Sequence, residues 1–395
     1  MDEVVGSKER VGLALSGGGI RAAAFHLGVL GFLADRGALE QVTHLSTVSG
    51  GSLVIAGVLS VNDMRWPSSA EFRSALPKLK ALLTTRGLLS LGALGLSGIA
   101  RYNYRILTDR ASILADMLRR QWGVEAKLAD LPDSPLWWIN TTCIETGKNW
   151  RFSKREMGDW QFGRHYRPPF SIAEAVTASA GVPYAVGALK LDLPKAGWYE
   201  TDPATSKPIK EKELELGVVR LWDGGAYENL GLEALFKAGR GLSDFDFLIC
   251  SDASAPLQMA QQQNPILTLL QGRLASPRLF DISSDQIRAL RSRMFVGALT
   301  RGEIRGALLR MGNSARSLDL RMGVTRMSED YDKLLSDDAV AIAAGHPTDL
   351  QAMSAEIFDA LTQHGGQVAG QILGAFAPGL GAQVGRTPAG TGGAR

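Results

Sequence analysis

Val11-Gly12-Leu13-Ala14-Leu15-Ser16-Gly17-Gly18-Gly19-Ile20-Arg21 decides the fold. A short apolar run ends in three glycines, and the glycines open a segment, 21–33, that is apolar with little β-branching. That is a buried strand, a tight turn and a helix. Leu45 to Val48, then the helix-like stretch 53–59, repeat the pattern around Ser49-Gly50-Gly51-Ser52. Two β-turn-α units within 60 residues are the arrangement of parallel strands joined by crossover helices. The expected class is therefore α/β, a mostly parallel central sheet flanked by helices.

Working outward, residues 62–121 read as mainly helical and 136–152 as strands around the turn Glu145-Thr146-Gly147. Residues 171–179 read as a helix with Ser171 as N-cap, and 214–221 and 245–250 as further strands. The stretches 265–310 and 348–362 predict a helical C-terminal portion. Residues 365–395 hold 10 glycines in 31 positions and two charged side chains, which reads as a flexible tail. The expected division is one domain over 1–364 and a tail over 365–395.

Composition excludes several classes. Lys and Arg outnumber Asp and Glu by 43 to 40, too even a balance to argue for nucleic acid. Cys143 and Cys250 are too few for a disulfide framework or a four-thiolate zinc site. Met1 to Arg10 carries five charged residues and no apolar core, so no secretory signal is expected, and no segment reads as a spanning helix. The expectation is a cytoplasmic protein, peripheral to a membrane at most.

Three segments bear chemistry. Gly17-Gly18-Gly19 between strand and helix exposes backbone N–H groups at a helix N-terminus, which suits a phosphate, a developing oxyanion, or a plain βα turn. A nucleotide P-loop needs Gly-Lys-Ser/Thr after such a turn, and neither that nor a G-x-G-x-x-G is present there. Ser46-Thr47-Val48-Ser49-Gly50-Gly51-Ser52 has the form of a nucleophile elbow, with Thr47 where the usual first glycine belongs; it is also an ordinary turn sequence. Asp223-Gly224-Gly225 places a carboxylate at a strand end, either as a base for a hydroxyl or as an Asx-turn.

The order Gly-Gly-Gly-x-Arg, Val-Ser-Gly-Gly and Asp-Gly-Gly resembles the patatin-like phospholipases. Residues 173–183 (AEAVTASAGVP) are similar to that family's Ala-Ser-x-x-x-Pro region, and 129–142 to the strand before it. The resemblance implies a Ser-Asp dyad without histidine, with Ser49 as nucleophile and Asp223 as base. It implies an oxyanion hole of Gly17, Gly18 and Gly19, with Arg21 ordering that loop. Gly50, Gly51, Gly224 and Gly225 would support the elbow and the turn. No cofactor and no metal enter the implied chemistry. The implied substrate is a membrane phospholipid hydrolysed at an acyl ester. A non-catalytic lipid-binding module on the same fold is the rival, opposed by the intact Ser49 and Asp223.

A Ser-His-Asp triad in α/β-hydrolase order would need a histidine after Asp223, and only His346 and His364 qualify. Both read as helix-terminus residues, while His26 and His44 lie nearer the two glycine turns. Two regions suggest lipid contact. Residues 148–167 interleave basic and aromatic side chains, as a headgroup interface or as strands with solvated faces. Residues 273–326 hold 11 Arg against four acids, able to meet an anionic lipid surface or to pair inside the fold. The apolar, Gly-broken stretch 87–100 reads as a mobile loop or a buried hairpin.

Overall fold

The computed structural model describes residues 9–88, 109–183, 185–202, 205, 207–242, 244–254, 257, 276–325 and 328–381. The strand β1 (Val11–Leu15), the helix α1 (Gly19–Asp35), β2 (Val42–Thr47) and α2 (Gly50–Val61) form the two βα units read from the sequence. Next along the chain are α3 (Ser69–Thr85), α4 (Arg110–Trp122), β3 (Leu136–Cys143), β4 (Asn149–Phe152), β5 (Glu156–Asp159) and β6 (Gly163–Tyr166). Then come α5 (Ile172–Ser179), β7 (Leu189–Asp192), β8 (Trp198–Thr201), β9 (Pro208–Glu211), β10 (Val218–Asp223) and β11 (Phe247–Asp252). The C-terminal part contains α6 (Ser276–Thr300), β12 (Gly306–Arg310), α7 (Ala315–Met322), α8 (Asp337–Ala344) and α9 (Ala355–Phe376).

Among the described residues the strands form one 12-stranded sheet, with a main path β12-β11-β1-β2-β3-β4-β5-β6-β8-β9. The fold is α/β, a central sheet with flanking helices. Its parallel part is the five strands β12-β11-β1-β2-β3, and from β3 outward all pairs are antiparallel, so the sheet is mixed. Side chains alternate across β1: Leu13 and Leu15 join the larger core with α1, α2 and α9, while Ala14 joins a smaller one with Leu230, Phe236 and Phe295. Both faces are covered, which is why the strand reads as a continuous apolar run. Each Leu or Phe sealed there contributes about 1.5–3 kcal/mol.

The C-terminal portion departs from the sequence reading in three places. Residues 348–354, expected to open the last helix, are not helical, and that helix starts at Ala355 behind the N-cap Ser354, whose side chain accepts the Ile357 N–H. Residues 306–310, expected as helix, form β12 on the parallel edge of the sheet, where Ala307 and Leu309 are buried. Residues 365–376, expected in the tail, continue α9. Gly365 packs against the Phe25 carbonyl and Gly28 against that of Thr362, so any side chain at either would push α1 and α9 apart. Here glycine lets two helices cross closely rather than loosening the chain. Val368, Ala369 and Leu373 are then buried behind that crossing. Residues 382–395 lie outside the described residues, as do 89–100 of the apolar stretch.

Candidate active site

Two strands meet end-on along one edge of β3. β2 runs parallel to β3 and stops with Thr47 opposite Ile139. β10 runs the other way on the same edge and stops with Asp223 opposite Thr141. Asn140, between those two positions, stitches the junction: its amide donates to Ser46 Oγ at 2.9 Å and to the Thr47 carbonyl at 3.0 Å. The two strand ends are therefore brought together, with Ser49 arriving from one side and Asp223 from the other.

Ser49 has φ 50° and ψ −113°, a left-side conformation rare for a residue with a Cβ. The turn that forces it also starts α2, with Ser49 as N-cap. Such strain persists only where the surroundings hold it. They do so through a buried chain of hydroxyls. The Ser49 N–H donates to Ser179 Oγ at 3.0 Å, Ser179 Oγ bonds Ser52 Oγ at 2.8 Å, and Ser52 Oγ bonds Thr47 Oγ1 at 2.7 Å. Trp137 Nε1–H closes the chain by donating to Thr47 Oγ1 at 2.8 Å. Thr47 thus stands in place of the elbow's first glycine because its hydroxyl has a partner on each side.

Asp223 is buried, and its two oxygens differ. Oδ1 accepts the Gly225 N–H at 2.6 Å, the Asx-turn contact. Oδ2 is sealed from water without a well-formed hydrogen bond. The Ser49 side chain interacts with this carboxylate, though it is not aligned on Oδ2. The Asx-turn reading of Asp223 accounts for one oxygen and leaves the other without a partner. Burial pushes the Asp223 pKa up to about 7, against the opposing pull of the Gly225 N–H and of Ser49.

The glycine loop separates into unlike members. The Gly17 N–H donates to the Asn229 carbonyl at 3.0 Å, which removes it from the three expected oxyanion donors. The Ile20 N–H is likewise occupied, by the Asp349 carbonyl at 2.9 Å. The N–H groups of Gly18 and Gly19 have no acceptor among the described residues. Gly18 holds φ +142°, and a Cβ there would lie 3.0 Å from both Ala22 Cβ and the Ala253 carbonyl. Gly50, the first residue of α2, also has a free N–H beside Ser49, among the described residues. Gly50 and Gly51 back onto the Gly19 and Leu15 carbonyls, Gly224 onto that of Asn140, and Gly225 lies between Asn229 and the Asp223 carboxylate.

Arg21 is buried, and its guanidinium donates to the carbonyls of His346, Ala344 and Ala253, at 2.9, 3.4 and 3.5 Å. It braces the loop against the segment after α8 and the end of β11. Burial lowers its pKa to about 10. The histidines nearest the loop are structural. His26 is sealed between Ser251 Oγ and the Ser16 carbonyl, and burial holds its pKa near 4. His364 lies inside α9 rather than at its end and accepts the Gly312 N–H at 3.1 Å. Among the described residues no cluster of His, Cys, Asp or Glu could hold a metal ion.

The expected lipid contacts fare differently. Residues 148–167 form β4, β5 and β6, and Trp150, Phe152 and Phe162 are buried, Trp150 and Phe162 against Trp198. Those aromatics are core, and only Trp160 stands out, 64% exposed. In the arginine-rich stretch, Arg288 pairs with Asp285 and Asp252, and Arg291 with Glu233. These two arginines pair with acids of the same chain. Among the described residues no helix is long and apolar enough to cross a membrane.

Sequence reasoning missed Ser179, Ser52, Trp137, Asn140 and Asn229. Ser179 lay inside a segment already singled out, but nothing in its spacing tied it to Ser49. Ser52, Trp137 and Asn140 likewise lay in segments already quoted, and adjacent residues gave no sign of which hydroxyls and amides the fold would join.

Comparison with known proteins identifies the family. Residues 13–236 match the Patatin family model, the patatin-like phospholipases. No curated protein matches the sequence. The chain is similar in structure to human GIVD cytosolic phospholipase A2, with a TM-score of 0.55 at 16% identity, over 94% of this chain and 60% of that one. The same human enzyme in complex with methyl gamma-linolenyl fluorophosphonate gives a TM-score of 0.53 at 17% identity, over 94% and 59%. The chain thus spans about 60% of the length of these structures, and likeness at such identity speaks for the fold. The family match covers more than half of the sequence and includes the glycine loop, the elbow and Asp223. The chain belongs to the patatin-like phospholipase family.

Proposed function

We propose that the protein hydrolyses acyl esters of lipids, phospholipids foremost, with Ser49 and Asp223 as a catalytic dyad. The observation that carries this reading is the end-on meeting of β2 and β10, which sets a strained serine beside a buried carboxylate with one unpaired oxygen. Asp223 takes the Ser49 proton as the hydroxyl oxygen attacks the ester carbonyl. Charge develops on the carbonyl oxygen, and the N–H groups of Gly18, Gly19 and Gly50 are donors for it. The protonated Asp223 gives its proton to the leaving alcohol. Water, deprotonated by Asp223, then releases the fatty acid and restores Ser49. The enzyme class is a serine carboxylic ester hydrolase of phospholipase A or lysophospholipase type, acting at a membrane surface from its water side.

Lipid mass spectrometry with purified protein tests this. Wild type is expected to release free fatty acid from phospholipid vesicles, and Ser49→Ala to release almost none. Equal release by both would remove Ser49 from the chemistry and favour the non-catalytic lipid-binding module.

A further inference from the structure

Gly17 adjoins Ser49 and Gly225 adjoins Asp223, and one side chain fills the space at both glycines. A Cβ added at Gly17 would collide with Asn229 Oδ1 and would lie 3.0 Å from Ser49 Cβ. A Cβ added at Gly225 would lie 2.7 Å from the same Asn229 oxygen and 2.9 Å from Asp223 Oδ1. Asn229 Oδ1 is therefore no farther from Asp223 Oδ1 than the sum of those two distances, and it shares the space beside Gly17 with the Ser49 side chain. Neither glycine has a positive φ, so the backbone conformation does not demand one at either place. What each supplies is a missing Cβ, and the Asn229 amide occupies the room.

The amide is anchored at its other end. Its Nδ2 donates to Ser254 Oγ at 2.8 Å, and the Ser254 N–H donates to Asp252 Oδ1 at 3.1 Å. Asp252 is buried at the end of β11 and is paired with Arg288 of α6 at 3.3 Å. The main chain of Asn229 is held as well, since its carbonyl accepts the Gly17 N–H at 3.0 Å. That bond survives any substitution at 229, so the side chain can be probed alone. Oδ1 accepts no hydrogen bond among the described residues. Asn140 joins the strands β2 and β10, whereas Asn229 meets the turns that follow β1 and β10.

Proton transfer from Ser49 to Asp223 needs the two side chains within hydrogen-bond reach, and a misplacement of about 1 Å can cost about 10²-fold in rate. We propose that Asn229 is a positioning residue of the dyad: its side-chain amide, anchored on Ser254, spaces the glycine loop beside Ser49 from the turn that carries Asp223, and Gly17 and Gly225 are glycine to admit it. It acts through the approach of Ser49 to Asp223, not on the substrate. This rests on the reading of Ser49 and Asp223 as a catalytic dyad. Burial, the Gly225 N–H and Ser49 set the Asp223 pKa, and no charged side chain enters. A carboxylate at position 229 would therefore be the first charge to act on the base, and a like charge raises a carboxyl pKa.

The test measures kcat, KM and melting temperature with a soluble short-chain ester, in wild type, Asn229→Ala, Asn229→Asp, Gly17→Ala and the double variant Gly17→Ala with Asn229→Ala. Asn229→Ala is expected to lower kcat at least about tenfold with KM near wild type. Gly17→Ala should do the same by pushing the amide aside. The double variant should lose less than about threefold beyond the worse single one, because the new Cβ then enters vacated space. Asn229→Asp keeps the shape and adds a charge, so the acid limb of kcat, at about pH 7 in wild type, should move up by at least about one unit. A merely structural role would leave that limb in place. Unchanged kcat in either single alanine variant, losses that multiply in the double variant, or an acid limb in Asn229→Asp that matches wild type each overturn the proposal. Where Asn229→Ala does not fold, Asn229→Asp decides alone. Wild type that turns over no ester overturns the hydrolase reading instead, and melting curves then decide the spacing role. Stability of Asn229→Asp should fall more steeply than that of wild type as pH rises through the range in which Asp223 ionises, and parallel curves overturn it.

Discussion

The two edges of β3 differ in how completely their buried polar groups are paired. On the edge shared by β2 and β10, nearly every buried polar group has a partner: Ser46, Thr47, Ser52, Ser179 and Asn140 are all bonded. The exception there is one oxygen of Asp223. On the edge carrying β4, β5 and β6 the unpaired groups are more numerous and of mixed kind: Asn149 Oδ1, Trp150 Nε1, His165 Nδ1, the Tyr166 hydroxyl and the Nε atoms of Arg151 and Arg164. Buried polar groups are normally satisfied, so a single exception inside an otherwise fully paired junction stands out. A lone anionic oxygen beside a hydroxyl is suited to moving a proton.

Substitutions at the first edge break this contrast most severely. Asp223→Asn should remove nearly all ester turnover, and adding Ser49→Ala should make it no worse, because residues acting as one unit are non-additive. Retention of more than about a tenth of wild-type kcat would require another base. Gly18→Ala should lower kcat by about 10²-fold, since φ +142° is strained for alanine and the N–H it carries would turn. A parallel melting curve separates lost chemistry from a lost fold.

Smaller effects sharpen the comparison. Ser179→Ala leaves the buried Ser49 N–H unpaired, which should destabilise the protein by about 1–3 kcal/mol and lower kcat while KM stays near wild type. A stability loss with kcat intact would reduce the hydroxyl chain to scaffolding. The subtlest effect is on stability alone. Asp223 has its folded pKa raised to about 7 from an ordinary 3.8, so between those values the folded state binds more protons than the unfolded one. Folding stability is therefore lost as pH rises through that window. Asp223→Asn removes this cost, and its melting temperature should exceed that of wild type at pH 8 more than at pH 5.

What the sequence makes legible is local. The strand-glycine-helix units, Ser49 and the Asp223 turn are readable because each is written in adjacent residues. The family resemblance supplied the pairing of Ser49 with Asp223, and the physical cause of that pairing was hidden. It lies in β10 entering antiparallel on the edge that β2 vacates, a register choice made 80 residues away. Gly17 looked equal to its neighbours until Asn229 was brought onto its N–H. Gly365 and Gly366 looked like the start of a loose tail, since composition cannot distinguish a helix crossing from a linker. Arg288 and Arg291 looked like surface charge because their acids come from β11 and from the stretch after β10.

The most direct test of the dyad is the rate at which a fluorophosphonate labels Ser49, tracked by peptide mass spectrometry across pH. The account predicts one adduct per chain, on Ser49, with a labelling rate that rises through about pH 7 as Asp223 ionises and that is low and flat in Asp223→Asn. Labelling at another residue, or at Ser49 with the same rate in Asp223→Asn as in wild type, would contradict it.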